Sequence, residues 1–428
     1  MATSRASDHP RVLVLHAPEV PTYFNAGHHL PVFSVAAYLR RQPGIAHVDA
    51  LDAAALNITW RELGDRLWAG AYDVIACQND LGEVSALGDF VVWARGLCPR
   101  TRLVTFGRLS AMVPGFFERY DIDGIVCGGD YEAGLLTFIR WLADPTRPRP
   151  GVAVRSNGGW VDPDGPGQLL PVERWVLPDI TEIPFDAYDR LYARDQNRFC
   201  GLPGRRELVV PVARGCPIRC GFCEVWQREG ARERRLPVRR VMDYIRDSCA
   251  RARFDYVAMY APTFTLKRAW VVELCDALAA HGGIAWKCTT TLDHLDEPLL
   301  TAMAGSGCTR VSVGVETLEP EAQSLLPRAK RSSTERFDAL AACCARLGVE
   351  LNCFVILGLP GSTTEGTLAT AAHLRAVGAR LRPTFYAPYD ELLPGMDERE
   401  VARFNRQLAP ATLAPADRTA LHELVHGE

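Results

Sequence analysis

Cys216, Cys220 and Cys223 share one short stretch, Ala213-Arg214-Gly215-Cys216-Pro217-Ile218-Arg219-Cys220-Gly221-Phe222-Cys223. Three thiolates on a tight loop can hold three irons of a cubane cluster, and offering three ligands instead of four leaves one iron open to substrate or cofactor. Two other readings compete. A zinc knuckle needs a fourth Cys or His at a matching spacing, and the nearest downstream candidate is Cys249, beyond a helix-like stretch, with no histidine close by. Coincidental clustering is the other. The remaining eleven of the 14 cysteines are scattered singly or as the Cys343-Cys344 pair, as expected of small buried apolar residues.

Such thiols need a reducing compartment. The segment Met1-Ala2-Thr3-Ser4-Arg5-Ala6-Ser7-Asp8 lacks the apolar core of a signal peptide, and no uninterrupted apolar stretch approaches the roughly 18 residues needed to cross a bilayer. A cytoplasmic chain with no membrane partner is expected, its cysteines reduced because disulfides rarely persist there. With 428 residues the chain suits two domains. A composition of 48% hydrophobic and 23% charged residues with net charge −3 is that of a soluble globular protein. It provides no basic stripe to neutralise phosphates, which argues against a nucleic-acid partner.

The elements that must position the cysteines follow from hydrophobic runs. Residues 11–18, Arg-Val-Leu-Val-Leu-His-Ala-Pro, read as a strand buried on both faces of a parallel sheet. A helix at about 31–41, strands at 71–77, 101–107 and 124–129, and helices at 87–98 and 135–142 continue the alternation. The pattern predicts an α/β, doubly wound, Rossmann-like domain over 10–143. Three prolines in Asp144-Pro145-Thr146-Arg147-Pro148-Arg149-Pro150-Gly151 end it, and a linker runs over 144–206. A second series of strands is expected at 207–212, 256–259, 285–290, 311–314, 350–357 and 383–386, each followed by a helix-like segment. Six such units over 207–390 predict a partial (β/α)6 barrel whose active site lies at the carboxyl ends of its strands, with a short helical segment over 391–428 closing the chain.

A CxxxCxxC stretch with an aromatic before the third cysteine, just after a first barrel strand, resembles the signature of the radical SAM superfamily. The resemblance implies that Cys216, Cys220 and Cys223 ligate a 4Fe-4S cluster whose fourth iron is chelated by S-adenosyl-L-methionine, and that one-electron reduction yields a 5′-deoxyadenosyl radical. Val311-Ser312-Val313-Gly314-Val315-Glu316 resembles the family's "GvEs" strand end, Lys330 falls where relatives have a lysine opening the next helix, and Phe354-Val355-Ile356-Leu357-Gly358-Leu359-Pro360-Gly361-Ser362-Thr363 resembles the "GlPGET" segment. The implied SAM contacts are Phe222, Tyr260, Ala261, Pro262, Glu316, Lys330, Val355 and Ile356. At the second barrel strand relatives commonly carry Gly-Gly-Glu or an acidic pair; this chain has Met259-Tyr260-Ala261-Pro262-Thr263-Phe264-Thr265, where backbone carbonyls could accept from the methionine ammonium.

A Rossmann-like domain ahead of this barrel resembles the cobalamin-dependent subfamily. Asp123-Gly124-Ile125-Val126-Cys127-Gly128-Gly129-Asp130-Tyr131-Glu132 resembles the segment closing the cobalamin sheet, and Leu177-Pro178-Asp179-Ile180-Thr181-Glu182-Ile183-Pro184-Phe185-Asp186 the family's connector. Gly107, Gly128 and Gly129, with His28 and His29 in the loop beyond the first strand, are the implied cobalamin contacts. No Asp-x-His-x-x-Gly occurs, so cobalt is expected without a lower histidine. No GxGxxG follows the first strand, which disfavours NAD or FAD.

The resemblance implies a cobalamin-dependent radical SAM methyltransferase acting on an unactivated carbon, or phosphorus, of a small molecule or natural-product intermediate, through methylcobalamin and the adenosyl radical. A low-potential donor such as flavodoxin or ferredoxin would supply electrons. Rearrangement, ring contraction or cyclisation without methyl transfer is an alternative, as is an N-terminal domain reduced to a partner-binding module, since Thr105-Phe106-Gly107-Arg108 stands where relatives often have "GGPH".

Overall fold

The computed structural model describes residues 9–18, 26–82, 84–194, 206–406 and 413–426. It divides into two units, residues 1–196 with 389–402, and 197–388 with 403–428.

In the first unit, β1 (Arg11–His16), β2 (His47–Asp52), β3 (Val74–Asn79), β4 (Arg102–Gly107) and β5 (Gly124–Val126) are parallel, in the order β2-β1-β3-β4-β5. This is the flavodoxin-like variant of the doubly wound sheet, with its switch point between β1 and β3. β3 is buried at every position, the signature of a strand covered on both faces. The sequence reading omits β2 and the helix Trp60–Gly70, although Thr59 and Glu62 form a capping box at that helix's start.

The stretch read as a linker extends the same sheet. β6 (Val152–Ser156) pairs antiparallel with β5, and β7 (Gly159–Val161) with β6. Asn157 at φ 50° and Gly158 at φ 82° make the tight turn between them. The segment Tyr389–Ala402 belongs to this first unit: Tyr120 donates to Glu398 Oε1 at 2.7 Å, Arg119 to the Pro394 carbonyl at 2.7 Å and Arg108 to the Tyr389 hydroxyl at 3.1 Å.

In the second unit, β8 (Glu207–Pro211) leads into a two-stranded ribbon of β9 (Ala213–Arg214) and β10 (Arg234–Arg235). Then come β11 (Tyr256–Tyr260), β12 (Trp286–Thr290), β13 (Cys308–Glu316), β14 (Glu350–Leu357) and β15 (Arg380–Phe385). Six parallel strands run in chain order from β8 to β15, as the sequence predicts for an open (β/α)6 barrel. Along β14 Leu351, Cys353, Val355 and Leu357 are buried on the strand face packed by the helix Thr334–Leu347. Toward the amino ends of the strands the opposite face is polar: Lys287 pairs with Glu207 at 2.6 Å, Tyr256 donates to Glu207, Arg310 pairs with Glu350 at 2.8 Å, and Asn352 donates to Ser312 at 3.0 Å. Among the described residues no helix is long and apolar enough to cross a membrane.

Candidate functional site

The ribbon pairs Arg214 with Arg234 and Ala213 with Arg235, so residues 215–233 form an excursion closed at its base beyond β8. Backbone contacts fix it. Gly215 N donates to Glu229 Oε2 at 3.0 Å, Cys216 N to the Gly230 carbonyl at 3.1 Å and Cys223 N to the Cys220 carbonyl at 3.1 Å. Trp226 Nε1 donates to the Cys220 carbonyl at 3.1 Å, and Arg406 donates to the Phe222 carbonyl at 2.7 Å. Between the first two cysteines the chain passes through Arg219 at φ 56°, a left-handed conformation that a side chain rarely adopts.

Cys220 is buried, and Cys216 and Cys223 are half-buried. Burial pushes the Cys220 thiol up to about 12 against the opposing pull of the Lys330 ammonium, and it also feels Cys223 and Cys216. Burial, assisted by the Glu224 carboxylate, pushes Cys223 up to about 11, with Arg406 opposing. Three cysteines on one excursion whose base is closed by the ribbon fit a cluster that takes them as thiolates. Among the described residues no three His, Cys, Asp or Glu side chains converge as ligands of one metal ion. A polynuclear cluster places each thiolate on a different iron.

The second group lies where β13 ends. The register between β13 and β14 slips between Gly314 and Glu316, and Glu316 takes φ 64°, a strained conformation of the kind that clusters at functional sites. Its carboxylate accepts from Lys330 Nζ at 2.8 Å, with both side chains nearly buried. A Cβ at Gly314 would collide with Lys330 Nζ and Glu316 Oε1, so the bare glycine makes room for the pair. Burial alone pushes the Lys330 ammonium down; Glu316, Cys220 and Cys223 outweigh it, and its pKa is raised. Lys330 sits in the short turn Arg328–Lys330, ahead of the helix Thr334–Leu347.

The other residues implied as SAM contacts divide. Phe222 packs against an apolar cluster of Ala322, Leu326, Ile356 and Leu359, which brings Phe222 and Ile356 together. Tyr260 is exposed, Pro262 half-buried and Ala261 buried at the carboxyl end of β11. Val355 lies fully buried on the helix-facing side of β14, which leaves only its backbone for a ligand. Sequence reasoning missed Thr263, whose hydroxyl lies 3.7 Å from Cys216 Sγ, and Arg406. Thr263 falls in the stretch where the chain departs from its relatives' motif and was given no role there, Arg406 belongs to no motif, and both reach the loop from distant chain.

In the first unit Gly107 ends β4 at φ 154°, and a Cβ there would collide with the Asn79 carbonyl. Gly129, at φ 78°, is pressed against the backbone of Gly167 and Gln168. Both glycines thus have a reason within the chain itself, whereas at Gly128 a Cβ would meet nothing within 4 Å. Its carbonyl side is packed against Gly167 and Gly151, so only the side a Cβ would occupy is open. His28 and His29 fall in the helix Ala26–Arg40 rather than a loop; their side chains lie outside the described residues.

Residues 210–374 match the radical SAM superfamily. Over 198 residues the chain is 26% identical to an uncharacterized methyltransferase of Pyrococcus horikoshii, covering 46% of this chain and 42% of that one. It therefore spans about two-fifths of the length of that curated relative. Among solved structures, TsrM from Kitasatospora setae, a radical S-adenosylmethionine methyltransferase with cobalamin and a [4Fe-4S] cluster bound, aligns with a TM-score of 0.72 at 18% identity over 89% of this chain and 77% of its own. OxsB, a cobalamin-dependent S-adenosylmethionine radical enzyme with aqua-cobalamin bound, aligns with a TM-score of 0.69 at 16% identity over 93% of this chain and 55% of its own. At these identities the likeness is one of fold, and it extends over both units.

Proposed function

We propose that this chain, whose residues 210–374 form a radical SAM domain, is a cobalamin-dependent methyltransferase that methylates an unactivated carbon, or phosphorus, of a small molecule or natural-product intermediate. The observation that carries this reading is the coincidence, in one chain, of a flavodoxin-order sheet followed by an open six-stranded barrel with three cysteines on one closed excursion beyond its first strand. The likeness to TsrM and OxsB across both units supports it.

Cys216, Cys220 and Cys223 would hold the cluster. Phe222, Tyr260, Ala261, Pro262, Glu316, Lys330, the Val355 backbone and Ile356 would line the SAM side. Gly107, Gly128, Gly129, His28 and His29 would lie on the cobalamin side. When bound, cluster and SAM supply the one-electron chemistry that opens an inert C–H bond, and cobalamin supplies a transferable methyl group.

The chain's own residues prepare that chemistry. Cys220 and Cys223 must shed their protons to become ligands, and the Lys330 ammonium favours the Cys220 thiolate. Glu316 fixes Lys330 through a buried hydrogen bond. Phe222, on the apolar cluster with Ile356 and Leu359, keeps water from that side of the loop. The enzyme would work in the cytoplasm with a low-potential electron donor.

Extraction of the anaerobically purified, reconstituted chain tests the proposal: it should release a corrinoid and about one 4Fe-4S cluster's worth of iron. With S-methyl-labelled SAM and reductant, label should appear in the corrinoid, and the eventual product should gain one CH2 unit. A chain that holds iron but never binds a corrinoid is not this enzyme, and a product of unchanged mass would point to rearrangement or cyclisation.

A further inference from the structure

Thr263 lies three residues beyond the end of β11, in the stretch where the chain departs from the Gly-Gly-Glu or acidic pair of its relatives. It is 3% exposed. Its carbonyl accepts from Leu266 N at 3.3 Å and from Arg235 Nη2 at 3.2 Å. Arg235 is itself buried, pairs with the buried Glu233, and lies over the ring of Trp270 at 4.5 Å and of Phe264 at 5.9 Å. Trp270 in turn donates from Nε1 to the Leu236 carbonyl at 2.8 Å. Arg235 stands on β10 opposite Ala213 on β9, so the ribbon that presents the cysteine loop also fixes the turn after β11. The outcome is that Thr263 Oγ1 lies 3.7 Å from Cys216 Sγ, within hydrogen-bonding reach of a sulfur.

In the free chain either atom could donate. A sulfur bound to iron carries no proton and can only accept, so in the loaded protein the Thr263 hydroxyl becomes the donor. A donor aimed at a cluster sulfur favours the form with more negative charge, which is the reduced one.

Resting on the cluster assignment made above, we infer that Thr263 is a tuning residue: its hydroxyl hydrogen-bonds the Cys216 sulfur and raises the reduction potential of the cluster, with Arg235 as the positioning residue that holds it there. A side chain outside the cysteine motif thus takes part in setting how easily the cluster accepts its electron.

The test compares anaerobically reconstituted full-length wild type, Thr263→Val, Thr263→Ser and Thr263→Ala in redox titrations followed by electron paramagnetic resonance, with iron and sulfide measured on each sample. Val and Ala should shift the midpoint to more negative potential at unchanged iron content, and Ser should stay with wild type. After exchange into deuterium oxide, a hyperfine-coupled exchangeable hydrogen should be present in reduced wild type and Thr263→Ser and absent from the other two. Ala carries the expectation should the branched Val side chain prevent loading. Equal potentials in all loaded variants, or a Ser variant that shifts as far as Ala, overturn the inference while leaving the cluster assignment intact. A wild-type chain that takes up no cluster overturns the assignment itself, and this inference with it.

Discussion

Replacing Lys330 by Met removes one partner of a buried ion pair while keeping most of its volume. Lys330 and Glu316 expose only 12% and 6% of their side chains, so the Glu316 carboxylate would be left charged, unpaired and far from water. Breaking buried pairs in this way costs about 3–5 kcal/mol. A ceiling follows from titration: protonating a carboxyl with a pKa of about 4.3 costs about 3.7 kcal/mol at pH 7, and once neutral the group no longer needs its cation. The expected loss is therefore about 3–4 kcal/mol at pH 7, a drop of about 200-fold or more in the folded-to-unfolded ratio. Its pH dependence has a definite sign. In wild type the Lys330 pKa is raised, so its stabilisation is complete below the unfolded lysine value and is lost only as pH rises through the folded one. In the variant the lone carboxylate is the destabilising species, so the deficit should be largest above neutrality, shrink as pH falls below about 7 and be mostly gone by about pH 5. Urea unfolding of the purified chain, followed by circular dichroism at pH 7.5 and pH 4.8, measures both, and adding Glu316→Gln should recover most of the loss. Arg346→Ala, which breaks the exposed Arg346–Glu297 pair, should cost about 0–1 kcal/mol. A Lys330→Met loss no larger than this control, or one independent of pH, would refute the reasoning.

Alanine at Cys216, Cys220 or Cys223 should abolish SAM cleavage and lower bound iron, whereas Cys343→Ala and Cys344→Ala should retain the cluster; normal cleavage by any of the first three ends the assignment. Because burial holds Cys220 near 12 and Cys223 near 11 in the free chain, cluster uptake must release protons and should quicken as pH rises from 7 to 9; a rate flat over that range would contradict it. With no Asp-x-His-x-x-Gly in the sequence, the Co(II) form of bound cobalamin should give a paramagnetic resonance spectrum free of nitrogen superhyperfine coupling. Such coupling, if seen, would make His28 and His29 the first residues to replace.

The sequence carried the strands better than it carried the contacts between them, and the barrel shows why. β13 and β14 place charged or polar residues on one face, among them Arg310, Glu350 and Asn352, yet both read as strands because the alternate residues Val311, Val313 and Val315, and Leu351, Cys353, Val355 and Leu357, are apolar and buried. Barrel interiors are more often filled with branched apolar side chains; here the polar face is stabilised by pairing, and a pair such as Lys287 with Glu207 joins residues far apart in the chain. β2, His47-Val48-Asp49-Ala50-Leu51-Asp52, was missed because it is an edge strand paired only with β1; its acidic residues break the apolar run that marked its neighbours. The β6–β7 hairpin was hidden by the prolines before it and the Gly-rich stretch after it, which speak for a turn but say nothing of which strand it rejoins. The site divides along the same line. Cys216, Cys220, Cys223, Glu316 and Lys330 belong to local motifs and could be named from spacing and resemblance, whereas the left-handed backbone of Glu316 arises from a register slip against β14 that no local pattern encodes. Thr263 is the sharpest case: in sequence it is one residue of a stretch that lacks its relatives' acids, and only once β10 and the turn after β11 are brought together does its hydroxyl acquire a sulfur to act on.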